Sequence, residues 1–195
     1  GLSLVLERPD GSLIKPVSFA DVTIQGGFWG PRLETNRKVT VWSNFRKCEE
    51  TGRLSNFAKA GGRVAGGFEG IFFNDSDVYK IIEGAAYVLH LRKDEKLDKY
   101  VDDLIAKIAA AQEDDGYLYT SRTILQKADK PEGQYHPLGG IPRWSDPRGH
   151  ELYCVGHMYE AAIAHHAATG KRNFLDVALK NADLIAETFG PNKKE

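Results

Sequence analysis

The stretch Val78-Tyr79-Lys80-Ile81-Ile82-Glu83-Gly84-Ala85-Ala86-Tyr87-Val88-Leu89 decides the fold class. Its apolar residues Val78, Ile81, Ile82, Ala85 and Leu89 recur at three- and four-residue steps, which gathers them on one face of an α-helix. A polar turn, Arg92-Lys93-Asp94, leads into a second stripe of Leu97, Val101, Leu104, Ile105 and Ile108. Two such stripes joined by a few polar residues make a helical hairpin. Further along, Leu152, Val155, Tyr159, Ile163 and His166 mark a third helix. Phe174, Val177, Ala178, Leu184 and Ile185 mark a fourth, entered through Thr169-Gly170-Lys171.

The second hairpin echoes the first. Glu83-Gly84-Ala85-Ala86 answers Glu160-Ala161-Ala162, and Leu104-Ile105-Ala106 returns as Leu184-Ile185-Ala186. A repeat of helix pairs is the mark of an α/α array, either an open solenoid or a closed ring. The pattern predicts a mainly α chain with helices near 32–50, 78–91, 95–111, 150–168 and 172–188, arranged as sequential hairpins.

Upstream, Val17, Phe19, Val22, Thr23 and Ile24 predict a short N-terminal β strand, broken by Gly26-Gly27. Pro31 suits a first helical turn, so residues 1–30 read as an extension and residues 31–195 as the helical array. Between the hairpins lies Gln112 to Gly149, long enough to suggest a functional loop. It carries Asp114-Asp115-Gly116-Tyr117-Leu118-Tyr119, Tyr135-His136-Pro137 and Trp144-Ser145-Asp146-Pro147. Aromatics beside Asp and His suit sugars, which offer apolar C–H faces and hydroxyl edges. The same aromatics would equally serve to pack a surface loop onto the helices.

Composition removes several classes. The 195 residues are 42% hydrophobic and 27% charged with a net charge of −1, so no basic footprint for nucleic acid is present. No run approaches the length of a membrane span. Gly1 to Leu6 lacks the basic start and long apolar core of a signal peptide. Two cysteines, Cys48 and Cys154, cannot make a disulfide framework or a four-cysteine zinc site. Serine-elbow, phosphate-loop and dinucleotide motifs do not occur.

Two constellations could carry chemistry. Asn74-Asp75-Ser76-Asp77 opens a helix, where Asp and Ser are good caps and carboxylates meet the positive helix end. Two aspartates exceed what a cap needs, so one can face a ligand. His150-Glu151-Leu152-Tyr153-Cys154-Val155-Gly156-His157 would place His150, Cys154 and His157 on one helix face. That face could hold zinc, but with no fourth ligand in view a helix-start histidine facing a pocket is the better reading. His165-His166 reads as ordinary helix surface and flank.

Phe68-Glu69-Gly70, Asn74 to Lys80, Gln112 to Leu118, and His150-Glu151-Leu152-Tyr153 with Gly156-His157 together resemble the β-L-arabinofuranosidase family, glycoside hydrolase family 127 and its close relatives. Gly26-Gly27-Phe28-Trp29 and Arg53 to Ala60 fit as well, so the resemblance runs from about Val17 to Pro191. It implies the N-terminal part of an (α/α)6 toroid. It also implies retaining hydrolysis of a carbohydrate substrate by a cysteine nucleophile and an acid/base glutamate, with a zinc ion held by glutamate and cysteines. Those elements lie downstream in the family, so no catalytic residue and no metal ligand is expected in this chain. What transfers is His150, matching a sugar-hydroxyl-binding histidine, and Asp75 and Asp77, matching the Asp-Ser-Asp motif. The implied protein is a bacterial enzyme acting on plant-derived glycans, with a periplasmic or secreted location favoured. The alternatives are a non-catalytic glycan-binding or helical scaffold domain, and another α/α-toroid carbohydrate-active enzyme.

Overall fold

A computed structural model describes residues 6–7, 13–127, 142–191 and 193; Tyr135-His136-Pro137 lies outside them. The chain is mainly α-helical. Eight helices run in order among the described residues: α1 (Trp29–Thr35), α2 (Val41–Glu50), α3 (Arg53–Ala60), α4 (Asp75–Leu91), α5 (Glu95–Ala111), α6 (Thr120–Lys127), α7 (Glu151–Thr169) and α8 (Asn173–Thr188). A π-helical turn, Asn36–Thr40, splices α1 to α2, so the predicted helix over 32–50 is continuous. No helix among the described residues is long and apolar enough to cross a membrane.

The strand expected over Val17–Ile24 does not form. A single 3-10 turn, Phe19–Asp21, stands there, with the Ser18 hydroxyl accepting from the Ala20 N–H. Val17, Val22 and Ile24 are exposed. Extended residues need a neighbour for their backbone groups, and the contacts of this segment with α4 are through the Phe19 ring, edge-on to Tyr87 at 4.8 Å and to His90 at 5.4 Å. The β structure present lies earlier, where β1 (Leu6–Glu7) pairs antiparallel with β2 (Leu13–Ile14).

The hairpins form as predicted. Asp94 caps α5 by accepting from the Leu97 N–H at 3.1 Å, and all five residues of its apolar stripe are buried. The most extensive helix contact is between α4 and α7, the leading helices of the two hairpins. They run in parallel, because the start of α7 sits on the start of α4: the Cys154 thiol donates to the Phe73 carbonyl at 3.4 Å. Leading helices side by side, with α5 packed on α8 behind them, is how successive hairpins stack in an α/α array.

Helix α7 differs from its predicted stripe. Its buried residues include Cys154, Val155, Met158, Ala161, Ala162 and His165, and Tyr159 packs on the core, so Val155 and Tyr159 of the predicted stripe face inward whereas Leu152 and Ile163 are exposed. Small residues at the α4 contact let the two backbones approach closely, and the larger apolar side chains turn outward. His165 is therefore a core residue, not surface, and burial lowers its pKa so that it stays neutral.

Two short helices were not anticipated. Helix α3 follows Gly52, whose φ of +75° permits the reversal out of α2, and it buries Leu54, Asn56, Phe57 and Ala60. Helix α6 lies inside the stretch read as an unbroken loop.

Candidate functional site

The segment Tyr117-Leu118-Tyr119, running into Thr120 at the start of α6, organises this end of the molecule. It leaves a turn in which Asp115 Oδ1 accepts from the Tyr117 N–H at 3.0 Å and the Glu113 N–H donates to the Tyr117 carbonyl at 2.8 Å. All four residues are buried. The Tyr117 hydroxyl donates to Glu151 Oε1, and the Tyr119 hydroxyl donates to the Gly149 carbonyl at 2.6 Å. From Thr120, the backbone N–H and the hydroxyl both donate to Asp75, at 2.8 and 2.5 Å. One short segment thus ties the start of α4 to the start of α7. Burial, reinforced by the Glu151 carboxyl, raises the Tyr117 pKa, and burial raises that of Tyr119, so both hydroxyls stay protonated donors.

Asp75 has no face on solvent. Burial pushes its carboxyl up to about 6, against the opposing pull of the two Thr120 hydrogen bonds. Both oxygens are engaged with Thr120, so the side chain braces the helix start and is not presented outward. Asp77, two residues on, faces outward and pairs with Arg53 at 2.7 Å. It borders a groove of about 390 Å³ that Lys47, Cys48, Arg53 and Lys80 also line.

His150 precedes α7 in the left-handed conformation, φ 55° and ψ 27°, and its side chain is exposed. Its ring stacks over Phe72, with 19° between the planes, and meets Phe73 edge-on at 4.6 Å. Tyr153 lies 5.9 Å away, and its hydroxyl accepts from Lys80 Nζ at 2.7 Å. Lys80 therefore links the His150 aromatic surface to the Asp77 groove. Such a surface offers aromatic faces for sugar C–H groups and an imidazole that can donate to one hydroxyl and accept from another.

His150, Cys154 and His157 do not converge. Cys154 points into the core, and the one cluster of three potential ligands among the described residues is Asp98, Asp102 and His165. Lys171 Nζ already sits between these two carboxylates, 2.6 Å from each. An ammonium in that position neutralises the aspartates and locks the α7–α8 turn onto α5. Both thiols are buried, and burial raises their pKa values, Cys48 to about 11 and Cys154 higher still. No group of three His, Cys, Asp or Glu ligands among the described residues includes either cysteine.

Over residues 21–195 the chain matches the family described as beta-L-arabinofuranosidase, GH127 catalytic domain. The chain belongs to this family. Among GH127 relatives, it is 39% identical over 175 residues to a non-reducing end beta-L-arabinofuranosidase of Bifidobacterium longum subsp. longum, covering 88% of this chain and 25% of that protein. A solved GH127 beta-arabinofuranosidase superposes with a TM-score of 0.80 at 46% identity, over 92% of this chain and 28% of the other. The GH127 beta-L-arabinofuranosidase of Geobacillus stearothermophilus T6 gives 0.79 at 35% identity, over 90% and 27%. The chain thus spans about a quarter of the length of these GH127 relatives.

The sequence placed Tyr117, Tyr119 and Glu151 in motifs without assigning them this bracing role, and Thr120 stood in none. The continuous apolar run Tyr117-Leu118-Tyr119 within a polar stretch was their available signal, since such a run is buried on all sides.

Proposed function

We propose that this chain is the N-terminal part of a retaining glycoside hydrolase of the β-L-arabinofuranosidase type, and that the sugar rests on the surface around His150. The observation that carries the reading is His150 itself: an exposed imidazole at a positive φ, flanked by Phe72, Phe73 and Tyr153, in a chain of this family. Strained backbone concentrates where function requires it. Asp77 is the second candidate for a sugar hydroxyl, and Asp75 supports the frame beneath both.

Residues 31–195 are read as the first hairpins of an (α/α)6 toroid, preceded by an extension over residues 1–30. Parallel packing of α4 and α7 supports this. Six hairpins of ordinary length need on the order of 350 residues, so the ring is completed by chain beyond these hairpins. The nucleophile, the acid/base glutamate and the zinc site of the family are assigned to that remainder. The substrate class is a plant-derived glycan bearing L-arabinofuranose or a related sugar; such polymers are met outside the cytoplasm, which favours a periplasmic or secreted location. A second reading is a glycan-binding domain without chemistry of its own, since both cysteines of this chain, Cys48 and Cys154, are buried.

Hydrolysis of p-nitrophenyl β-L-arabinofuranoside by the complete protein separates the two. The complete protein should turn over, and the 195-residue chain alone should not. His150→Ala should lower kcat/KM of the complete protein about 10- to 100-fold, the equivalent of roughly 1–3 kcal/mol for an unpaired hydroxyl contact, with little change in Tm. A large drop in Tm with unchanged activity of the folded fraction would reduce His150 to a packing residue. No turnover by a folded complete protein favours the binding domain.

A further inference from the structure

His150 holds a backbone conformation that residues with a side chain rarely adopt, and such a conformation persists only where its surroundings over-determine it. The residues on both sides of it are pinned from below. On the N-terminal side, the Gly149 carbonyl accepts from the buried Tyr119 hydroxyl at 2.6 Å. On the C-terminal side, the buried Glu151 carboxyl accepts from the Tyr117 hydroxyl through one oxygen and from the Trp144 N–H, at 2.7 Å, through the other. Trp144 also has a positive φ, 67°, and its ring packs edge-on against Tyr117 at 5.1 Å. Tyr117, Tyr119 and Glu151 bury the polar groups they satisfy, so each bond is costly to remove.

We infer that Glu151 and Tyr119 are positioning residues for His150, clamping the turn on either side so that the imidazole is aimed outward before sugar arrives. The inference rests on the reading of His150 as a sugar contact and adds what holds it. Neither residue touches the sugar; each acts through the backbone of the 149–151 turn. Held this way, His150 need not be ordered at the moment of binding, which is where preorganisation raises transition-state affinity.

The test is a double-mutant cycle in the complete protein, reading kcat/KM on p-nitrophenyl β-L-arabinofuranoside beside thermal melting. Tyr119→Phe removes one hydroxyl and keeps the ring. Glu151→Gln keeps the shape and one acceptor but replaces the other oxygen with a donor. Each should lower kcat/KM about tenfold in the native background and cause no further loss when His150 is already alanine, because the effect travels through that residue. An equal loss in both backgrounds makes these residues general supports of the fold and overturns the inference, as does no loss in the native background. If His150→Ala alone leaves kcat/KM unchanged, the sugar-contact reading fails and the positioning role fails with it. If His150→Ala is damaging while both other variants are silent, only the positioning role fails.

Discussion

Gly116→Ala is expected to destabilise the fold by at least about 3 kcal/mol, through overpacking and backbone strain together. Gly116 sits at φ +95°, and a Cβ built there would lie 2.4 Å from the Lys180 carbonyl oxygen and 3.0 Å from its carbon. Both contacts are backbone atoms of α8, so no side chain can swing away to relieve them. Nor can the turn retreat freely: the Gly116 carbonyl accepts from Asn181 Nδ2 at 2.8 Å and from Gln112 Nε2 at 3.0 Å. Asn181 and Phe174 are themselves fully buried in α8. Urea denaturation compared with Gly84→Ala provides the check. Gly84 lies within α4 with nothing within 4 Å of an added Cβ, so alanine there should stabilise by about 0.5–1 kcal/mol through helix propensity. Equal midpoints for Gly116→Ala and the native chain would show that the loop does not dock on α8 as described.

The second large effect is a change in how stability depends on pH. The Asp75 carboxyl is raised from 3.8 to about 6 in the fold, chiefly by burial. Between those values the folded state binds a proton that the unfolded state has released, so this group's contribution to stability is full below about pH 4 and lost as pH rises through 6. A shift of that size corresponds to about 3 kcal/mol. Its immediate neighbours Tyr79 and Cys154 have raised pKa values and remain neutral across this range, so they do not mask the titration. Asparagine reproduces the protonated acid: its carbonyl can accept from the Thr120 N–H and its amide can donate to the Thr120 hydroxyl. Asp75→Asn should therefore fold well and remove this component. Carboxylates held low elsewhere, such as Asp102 beside Lys171 and Asp115 beside Arg143, produce the opposite slope, so the decisive quantity is the native-minus-variant difference in unfolding free energy from pH 4 to 7. A difference that stays flat would mean that Asp75 is not desolvated in the fold.

Both experiments bear on residues whose role a linear reading caught only in part. The Asp-Asp-Gly-Tyr run was legible as part of a long inter-hairpin loop, and Asp75 as part of a helix start. Sequence could not show that Gly116 abuts the backbone of a helix sixty-odd residues away, or that Asp75 faces inward and Asp77 outward. The α5 stripe was read correctly because that helix has one apolar face and one charged face. The α7 stripe was misread because that helix is apolar on both sides, so periodicity alone does not say which side is inside. The N-terminal strand was misread because strand propensity describes a surface that fits a sheet, and among the described residues no strand pairs with Val17–Ile24.

Local periodicity, turn residues and the repeat of hairpins were enough to make this a mainly α-helical array, because helix hydrogen bonds close within four residues and the stripe is written at that spacing. The motifs in order were enough to point to its family. Only the tertiary structure decided which aspartate is buried, which histidine is exposed, and that Tyr117, Tyr119 and Thr120 clamp two helix starts together. Those relations depend on directions in space between residues 30 to 45 positions apart, and hydrogen bonds of that kind leave no period in the chain.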